Sequence, residues 1–474
     1  MAVRADVRGG ARAVRLGQGA AGPCRHRRLT AERRVFERLR QVRRDARQRS
    51  DLRGLLDDCR QLLTAHGESN SLVIAARAIE RYARLSDDAA ARFFEVLATD
   101  FDPDPGEVLR LAESYAVSRS PDNLIQLWKA AESPRQELLR RLNRAPNATG
   151  TLVAMRASLL ERLRRDESLK AVDADFQHLL SSWFNPGFLR LVQVDWSSPA
   201  RLLEKIIQHE AVHEIDGWAD LRRRLEPDRR CFAFFHPMLA DEPLIFVEVA
   251  LLDAMPQAIA PLLDRKSEPD TREDRFKVAA FYSISNCQPG LRGVNLGNFL
   301  IKRVAEQLQL AFPKLKAFCT LSPIPGFAAW LSAAGEVDSP RLKPATRREL
   351  DAGLRALRER HGSDFSALAK AHAAAGEGAK PDPDLAMLQR LCAAYLIETS
   401  PNETRTSDPV ARFHLNNGAR LERINLAGDL SRNGLRQSHG LMVNYLYDLD
   451  EIESNHEKFV NDQVSASRAV LSLL

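Results

Sequence analysis

Residues 278–321 constrain this chain more than any other stretch. VAAFYSI (278–284) is an apolar run of strand-forming types, followed by the turn-rich loop QPGLRGVNLGN (288–298). Beyond it Phe299, Leu300, Val304, Leu308 and Phe312 recur at helical spacing, with Lys302, Arg303 and Glu306 on the opposite face. A second apolar run (315–321) ends in Ser322-Pro323-Ile324-Pro325-Gly326. The order is strand, glycine loop, helix, strand. A helix start preceded by Gly290, Gly293 and Gly297 offers unpaired N–H groups and a positive dipole end, which suits a phosphate. The loop lacks both the G-x-G-x-x-G spacing of a dinucleotide site and the Lys-Ser/Thr ending of a nucleotide-triphosphate loop. On pattern alone, an ordinary βαβ crossover with a glycine turn fits equally well.

The rest of the chain supplies a second body. Its 474 residues exceed what one core usually organises. Residues 1–28 are arginine-rich, with Asp6 as the one acid, and read as a disordered tail in preference to a mitochondrial presequence. Residues 29–185 read as all-helical, with segments near 87–99, 106–117, 121–131, 134–143, 151–165 and 168–183. Ser86, Ser120-Pro121 and Ser133-Pro134 mark starts, and Phe93, Phe94 and Trp128 read as core. Asn185-Pro186-Gly187 breaks the helical run and sets the expected domain boundary. Strands follow at 188–196, 231–235 and 244–251, the last two as a hairpin. Residues 337–407 read as a charged, Ala-rich helical insertion. Asp408-Pro409 opens a short helix ending near His414, and strands begin at Arg420 and near Leu441.

Composition narrows the partners. No apolar run approaches the ~20 residues of a membrane span. The net charge of +6 comes without an RNP, helix-turn-helix or zinc-finger pattern, so a phosphate-rich small ligand suits it better than nucleic acid. The six cysteines form no C-x-x-C pair, which argues for a reducing cytoplasm and against a zinc site. Cys287 and Cys319 read as packed residues near the loop. Taken alone, Ser322 before a proline reads as a helix cap, and His414 as a histidine complementing a helix C-terminus.

Five blocks change that reading when taken together: FYSIS (281–285), GVNLGNFLIKRV (293–304), LSPIPGF (321–327), FHLNNGARLERIN (413–425) and HGLMVNYLY (439–447). In this order, and with EAVHEIDGWADLRRRLEPDRRCFAFFHP (210–237), they resemble the malonyl-CoA decarboxylase family from about residue 184 to 447. The resemblance implies an α+β chain: an N-terminal helical oligomerisation domain, assembling dimers into a tetramer, then an acetyltransferase-like mixed α/β domain (186–474). It implies malonyl-CoA as substrate, coenzyme A entering only as part of it, and no metal or other cofactor. The loop Arg292, Gly293, Val294, Asn295, Leu296, Gly297 and Asn298 is expected to hold the phosphates. Many animal members carry glutamate where this chain has Asn295, which leaves a backbone or amide role there. The family's catalytic serine falls on Ser322, as carboxylate anchor or as proton acceptor, and its histidine falls on His414, as proton donor. Tyr447 is a candidate for orienting the pair. A CoA-dependent acyltransferase is the alternative activity on the same fold.

Overall fold

The computed structural model describes residues 24–474 apart from 65–67, 240, 295, 297–299, 338, 377 and 403–407. Its packing groups the chain into two compact units, one ending at Ala145 and one spanning Pro146–Leu474.

The first unit is helical: α1 (Cys24–Thr64), α2 (Glu68–Tyr82), α3 (Asp87–Thr99), α4 (Pro105–Val117), α5 (Pro121–Ala131) and α6 (Pro134–Leu142). The expected segments near 87–99, 106–117, 121–131 and 134–143 coincide with α3 to α6. Ser86 and Ser120 accept N–H bonds from Ala89 and Asn123, as N-caps should. The first helix begins at Cys24, inside the span expected as tail; residues 1–23 lie outside the described ones. Leu55, Cys59, Leu62, Phe93, Phe94 and Leu97 form the core. Trp128 does not join them. It is 71% exposed, because α5 buries none of its residues in this unit.

The second unit opens with α7 (Ala148–Arg162) and α8 (Lys170–Trp183). This unit thus takes in two helices that precede the boundary expected at 185. The physical reason is that Arg156 on α7 donates to the carbonyls of Gly290 (2.9 Å) and Arg292 (2.8 Å), and Gln177 on α8 donates to Gly293 O (2.9 Å). Next come β1 (Arg190–Val194), α9 (Ala200–His209), α10 (Gly217–Arg224), β2 (Arg229–Phe235), β3 (Pro243–Leu252) and the one-turn α11 (Ala260–Leu263). The central unit is β4 (Val278–Asn286), α12 (Leu300–Ala311) and β5 (Ala317–Thr320), followed by α13 (Phe327–Ala333). The expected insertion holds α14 (Pro344–His361), α15 (Ser366–Ala375) and α16 (Pro383–Ile397). The chain closes with α17 (Pro409–Asn416), β6 (Arg420–Asn425), α18 (Arg432–Ser438), β7 (Met442–Tyr447), α19 (Ile452–Val460) and α20 (Arg468–Leu471).

These strands make one seven-stranded sheet in the order β1-β2-β3-β4-β5-β7-β6. Its one parallel pair is β4–β5, joined through α12; the others are antiparallel. That pair matches only from Val278↔Ala317 to Phe281↔Thr320. Beyond Phe281, β4 runs on to Asn286 beside β3 alone, while the chain after β5 turns toward β7, where Ser322 bridges Val443. The β3–β4 register also slips by one residue between Glu248 and Val249, leaving Tyr282 as the bulged residue. A wedge therefore opens in the middle of the sheet.

A buried ion cluster pins α10 to the sheet. Arg224 donates to Glu248 Oε2 at 2.9 Å and to Asp220 Oδ1 at 3.1 Å, and Glu248 is wholly buried. Burial pushes the Glu248 carboxyl up to about 7, against the pull of Arg224. Removing the cation leaves two buried acids without it. Arg224→Met should cost about 3–5 kcal/mol in urea unfolding, and adding Glu248→Leu should restore part of that loss.

Candidate active site

Ser322 and His414 lie far apart in sequence and meet at the wedge. The Ser322 N–H donates to Val443 O (2.8 Å), and its carbonyl accepts from Val443 N (3.0 Å), so its backbone is fixed on β7. The helix expected to start near Pro323 begins instead at Phe327, with Gly326 as its cap residue. Ser322 is thus a strand-end residue and not a helix cap. Its Oγ lies 3.0 Å from His414 Nε2 and donates to Thr320 Oγ1 at 2.9 Å. Thr320 also accepts the Tyr445 N–H at 3.2 Å, filling the gap where β5 and β7 lose their ladder.

His414 sits in the last turn of α17. Asp408 caps that helix, accepting from Val410 N (2.9 Å) and Ala411 N (3.0 Å). The imidazole Nδ1 is 2.8 Å from the Tyr447 hydroxyl, and the ring stacks on Tyr445 with centroids 4.6 Å apart. Tyr445 and Tyr447 are two apart on β7, hence on one face. Tyr447 has no other hydrogen-bond partner among the described residues. A phenol with one partner gives its proton to it, so Tyr447 donates to Nδ1, and Nε2 carries the ring proton toward Ser322. The chain of donors runs Tyr447, His414, Ser322, Thr320.

A cleft of about 310 Å³ opens onto this pair. Phe281, Tyr282, Ser283, Ile284 and Asn286 of β4 form one wall; Leu321, Ser322, Pro323, Pro409, Val410, Phe413 and His414 form the other, with Val212 and Ile245 completing it. Among the described residues no Lys, Arg, Asp or Glu lines it. The β4 wall leads straight into the glycine loop. There Gly293 adopts φ +79°, a conformation suited to glycine, with Arg292 exposed and Val294 and Leu296 buried. Asn295, Gly297 and Asn298 lie outside the described residues.

Sequence reasoning placed Ser322, His414 and Tyr447 in the site but missed Thr320 and Tyr445 and read Asp408 only as a helix start. The i, i+2 spacing of Thr320–Ser322 and Tyr445–Tyr447 was the available signal. Cys287 and Cys319 are buried, and burial pushes both thiols up to about 12, so neither is a thiolate at neutral pH. Among the described residues no group of three His, Cys, Asp or Glu could hold a metal ion, and no helix is long and apolar enough to cross a membrane.

Comparison with known proteins gives the chain its relatives. Residues 101–184 match the model of the malonyl-CoA decarboxylase N-terminal domain, and residues 187–474 that of the C-terminal domain. The chain is 37% identical over 398 residues to mitochondrial malonyl-CoA decarboxylase of Rattus norvegicus, covering 80% of each chain. It is 36% identical over 408 residues to that of Anser anser anser, covering 81% of this chain and 79% of the relative. The crystal structure of malonyl-CoA decarboxylase from Rhodopseudomonas palustris superposes with TM-score 0.76 at 45% identity, covering 88% of this chain and 98% of that one. The structure from Agrobacterium vitis gives 0.73 at 48%, covering 88% and 99%.

Burial alone pulls the His414 imidazole down to about 3 from 6.5, so the ring is neutral at physiological pH. Its NMR signals should not titrate between about pH 8 and 5. The unfolded chain takes up this proton near pH 6.5 while the folded one does not. The stability associated with His414 should therefore be complete above pH 6.5 and decline as pH falls toward about 3. Replacing His414 with Asn should flatten the acid limb of the unfolding free energy.

Proposed function

The chain belongs to the malonyl-CoA decarboxylase family, and we propose how its residues carry out the conversion of malonyl-CoA to acetyl-CoA and carbon dioxide. The bond between Cα and the terminal carboxylate breaks. Its electron pair moves into the thioester as an enolate, carbon dioxide leaves, and one proton is added to Cα.

The thioester is its own electron sink, so the protein's part is positioning, charge and the proton. In our reading the acyl end enters the wedge along the unpaired edge of β4, and the phosphates lie at the loop Arg292–Gly293–Val294–Asn295–Leu296–Gly297–Asn298. Ser322 turns its hydroxyl from Thr320 to the leaving carboxylate and holds it out of the thioester plane. The lining, uncharged among the described residues, offers that carboxylate no counter-ion, which favours its departure as neutral carbon dioxide. His414 then delivers its Nε2 proton to Cα. The enolate carbon is a strong enough base to take it from a neutral imidazole, and the Tyr447 hydroxyl on Nδ1 offsets the charge left on the ring. The observation that carries this reading is the 3.0 Å contact of Ser322 Oγ with His414 Nε2 beside an uncharged cleft. An acyltransferase would instead need a base to deprotonate an amine, and His414 is set up as a donor.

For the assembly we propose a homotetramer, a dimer of dimers. Supporting it is an exposed apolar face on α4 and α5, with Leu109, Val117, Leu124, Ile125 and Trp128. For the compartment we propose the cytoplasm, since every cysteine with a described side chain is free and buried.

Two experiments test these readings. Purified protein given malonyl-CoA and no acceptor should yield acetyl-CoA, and Ser322→Ala and His414→Ala should each lower kcat at least ~10²-fold with the fold intact. Unchanged carbon dioxide release by His414→Ala would remove the proton-donor role. Trp128→Glu should reduce the mass seen by sedimentation; an unaltered mass would move the interface elsewhere.

A further inference from the structure

Asp408 takes no part in the chemistry above, yet it touches both segments that carry it. Its Oδ1 accepts the N–H groups of Val410 and Ala411 and so fixes the start of the helix bearing His414. Its Oδ2 accepts the N–H of Gly326 at 3.0 Å, in the turn that follows Ser322. Tyr395 Oη on α16 and Asp408 Oδ2 both flank Gly326. All of this is buried: Asp408 is 1% exposed and Tyr395 4%. The turn comes this close only because residue 326 is glycine. A Cβ there would lie 2.2 Å from Tyr395 Oη and 3.3 Å from Asp408 Oδ2.

We propose that Asp408 is a positioning residue that sets the separation of Ser322 and His414, by tying the His414 helix and the post-Ser322 turn to opposite oxygens of one carboxylate. The inference rests on the roles proposed above for that pair. A hydrogen bond at 3.0 Å tolerates only a few tenths of an ångström of drift before it weakens, so the tie must be rigid. Asparagine cannot reproduce it. An amide has one acceptor oxygen, and its NH₂ must face either the cap N–H groups or the Gly326 N–H, so one tie is lost. Gly326 belongs to the same device by making room beside Tyr395.

The test compares wild type, Asp408→Asn, Gly326→Ala, Tyr395→Phe and the double variant Gly326→Ala/Tyr395→Phe, with malonyl-CoA as substrate, below each protein's unfolding temperature. Asp408→Asn should lose at least tenfold in kcat with KM within twofold. Its solvent deuterium isotope effect should rise, because misaligned proton delivery becomes slow; a purely structural role would move neither quantity in folded protein. Gly326→Ala should show the same signature. Adding Tyr395→Phe, which removes the oxygen the new methyl would meet, should recover most of the loss, while Tyr395→Phe alone should cost less than threefold. Folded Asp408→Asn with kcat within twofold of wild type, or a loss confined to KM, overturns the proposal. So does failure of Tyr395→Phe to rescue Gly326→Ala. Should Asp408→Asn not fold, the glycine pair decides. Ser322→Ala run alongside separates the two levels. If it retains activity, the assignment of the pair falls; if it is inactive while Asp408→Asn is not, only the present inference falls.

Discussion

The parting of β5 from β4 after Thr320 is the constraint on which the rest of the site depends. Up to that point the two strands share a parallel ladder. One residue later Leu321 still donates to Phe281 O, and then Ser322 pairs with Val443 instead. The exchange of partners satisfies the main chain of the departing strand while leaving one side of β4 open. It also delivers a serine hydroxyl to the mouth of that opening with its backbone held at both N–H and C=O. A loop could place a hydroxyl there, but not with two ladder bonds fixing it.

The electrostatics follow from the same enclosure. Packing His414 between Tyr445, Tyr447 and Ser322 keeps the ring neutral and orders its two nitrogens into distinct roles. The side chains of the described lining are uncharged, and Arg224, Asp220 and Glu248 are paired in a separate cluster.

Much of this was legible in the sequence. The crossover of β4, α12 and β5 followed from alternation and helical period, and the cap residues marked α3 and α5 because their chemistry is local. Ser322 was harder, since Ser-Pro before an apolar run is a helix-start motif. Only the tertiary pairing with Val443 makes it a strand end, and pairing between distant segments leaves no local trace. Trp128 was read as core because large aromatics usually are, yet α5 presents it outward. The attachment of α7 and α8 to the glycine loop was not legible for a related reason. A helix tied to a distant loop looks in sequence like any other member of its bundle. Thr320, Tyr445 and Asp408 needed the fold, because each acts through a partner far away along the chain.

The grip of α7 and α8 on the glycine loop bears on where this protein could be cut. The C-terminal family match begins at residue 187, yet Arg156 and Gln177, which hold the carbonyls of Gly290, Arg292 and Gly293, precede it. A fragment trimmed to the sheet would keep the serine, the histidine and the wedge but lose the brace under the glycine loop. The compact unit is therefore larger than the sheet, and it takes in α7 from its start. Recombination between relatives at the linker near 185 would split a working part; exchange near 145 would leave it whole.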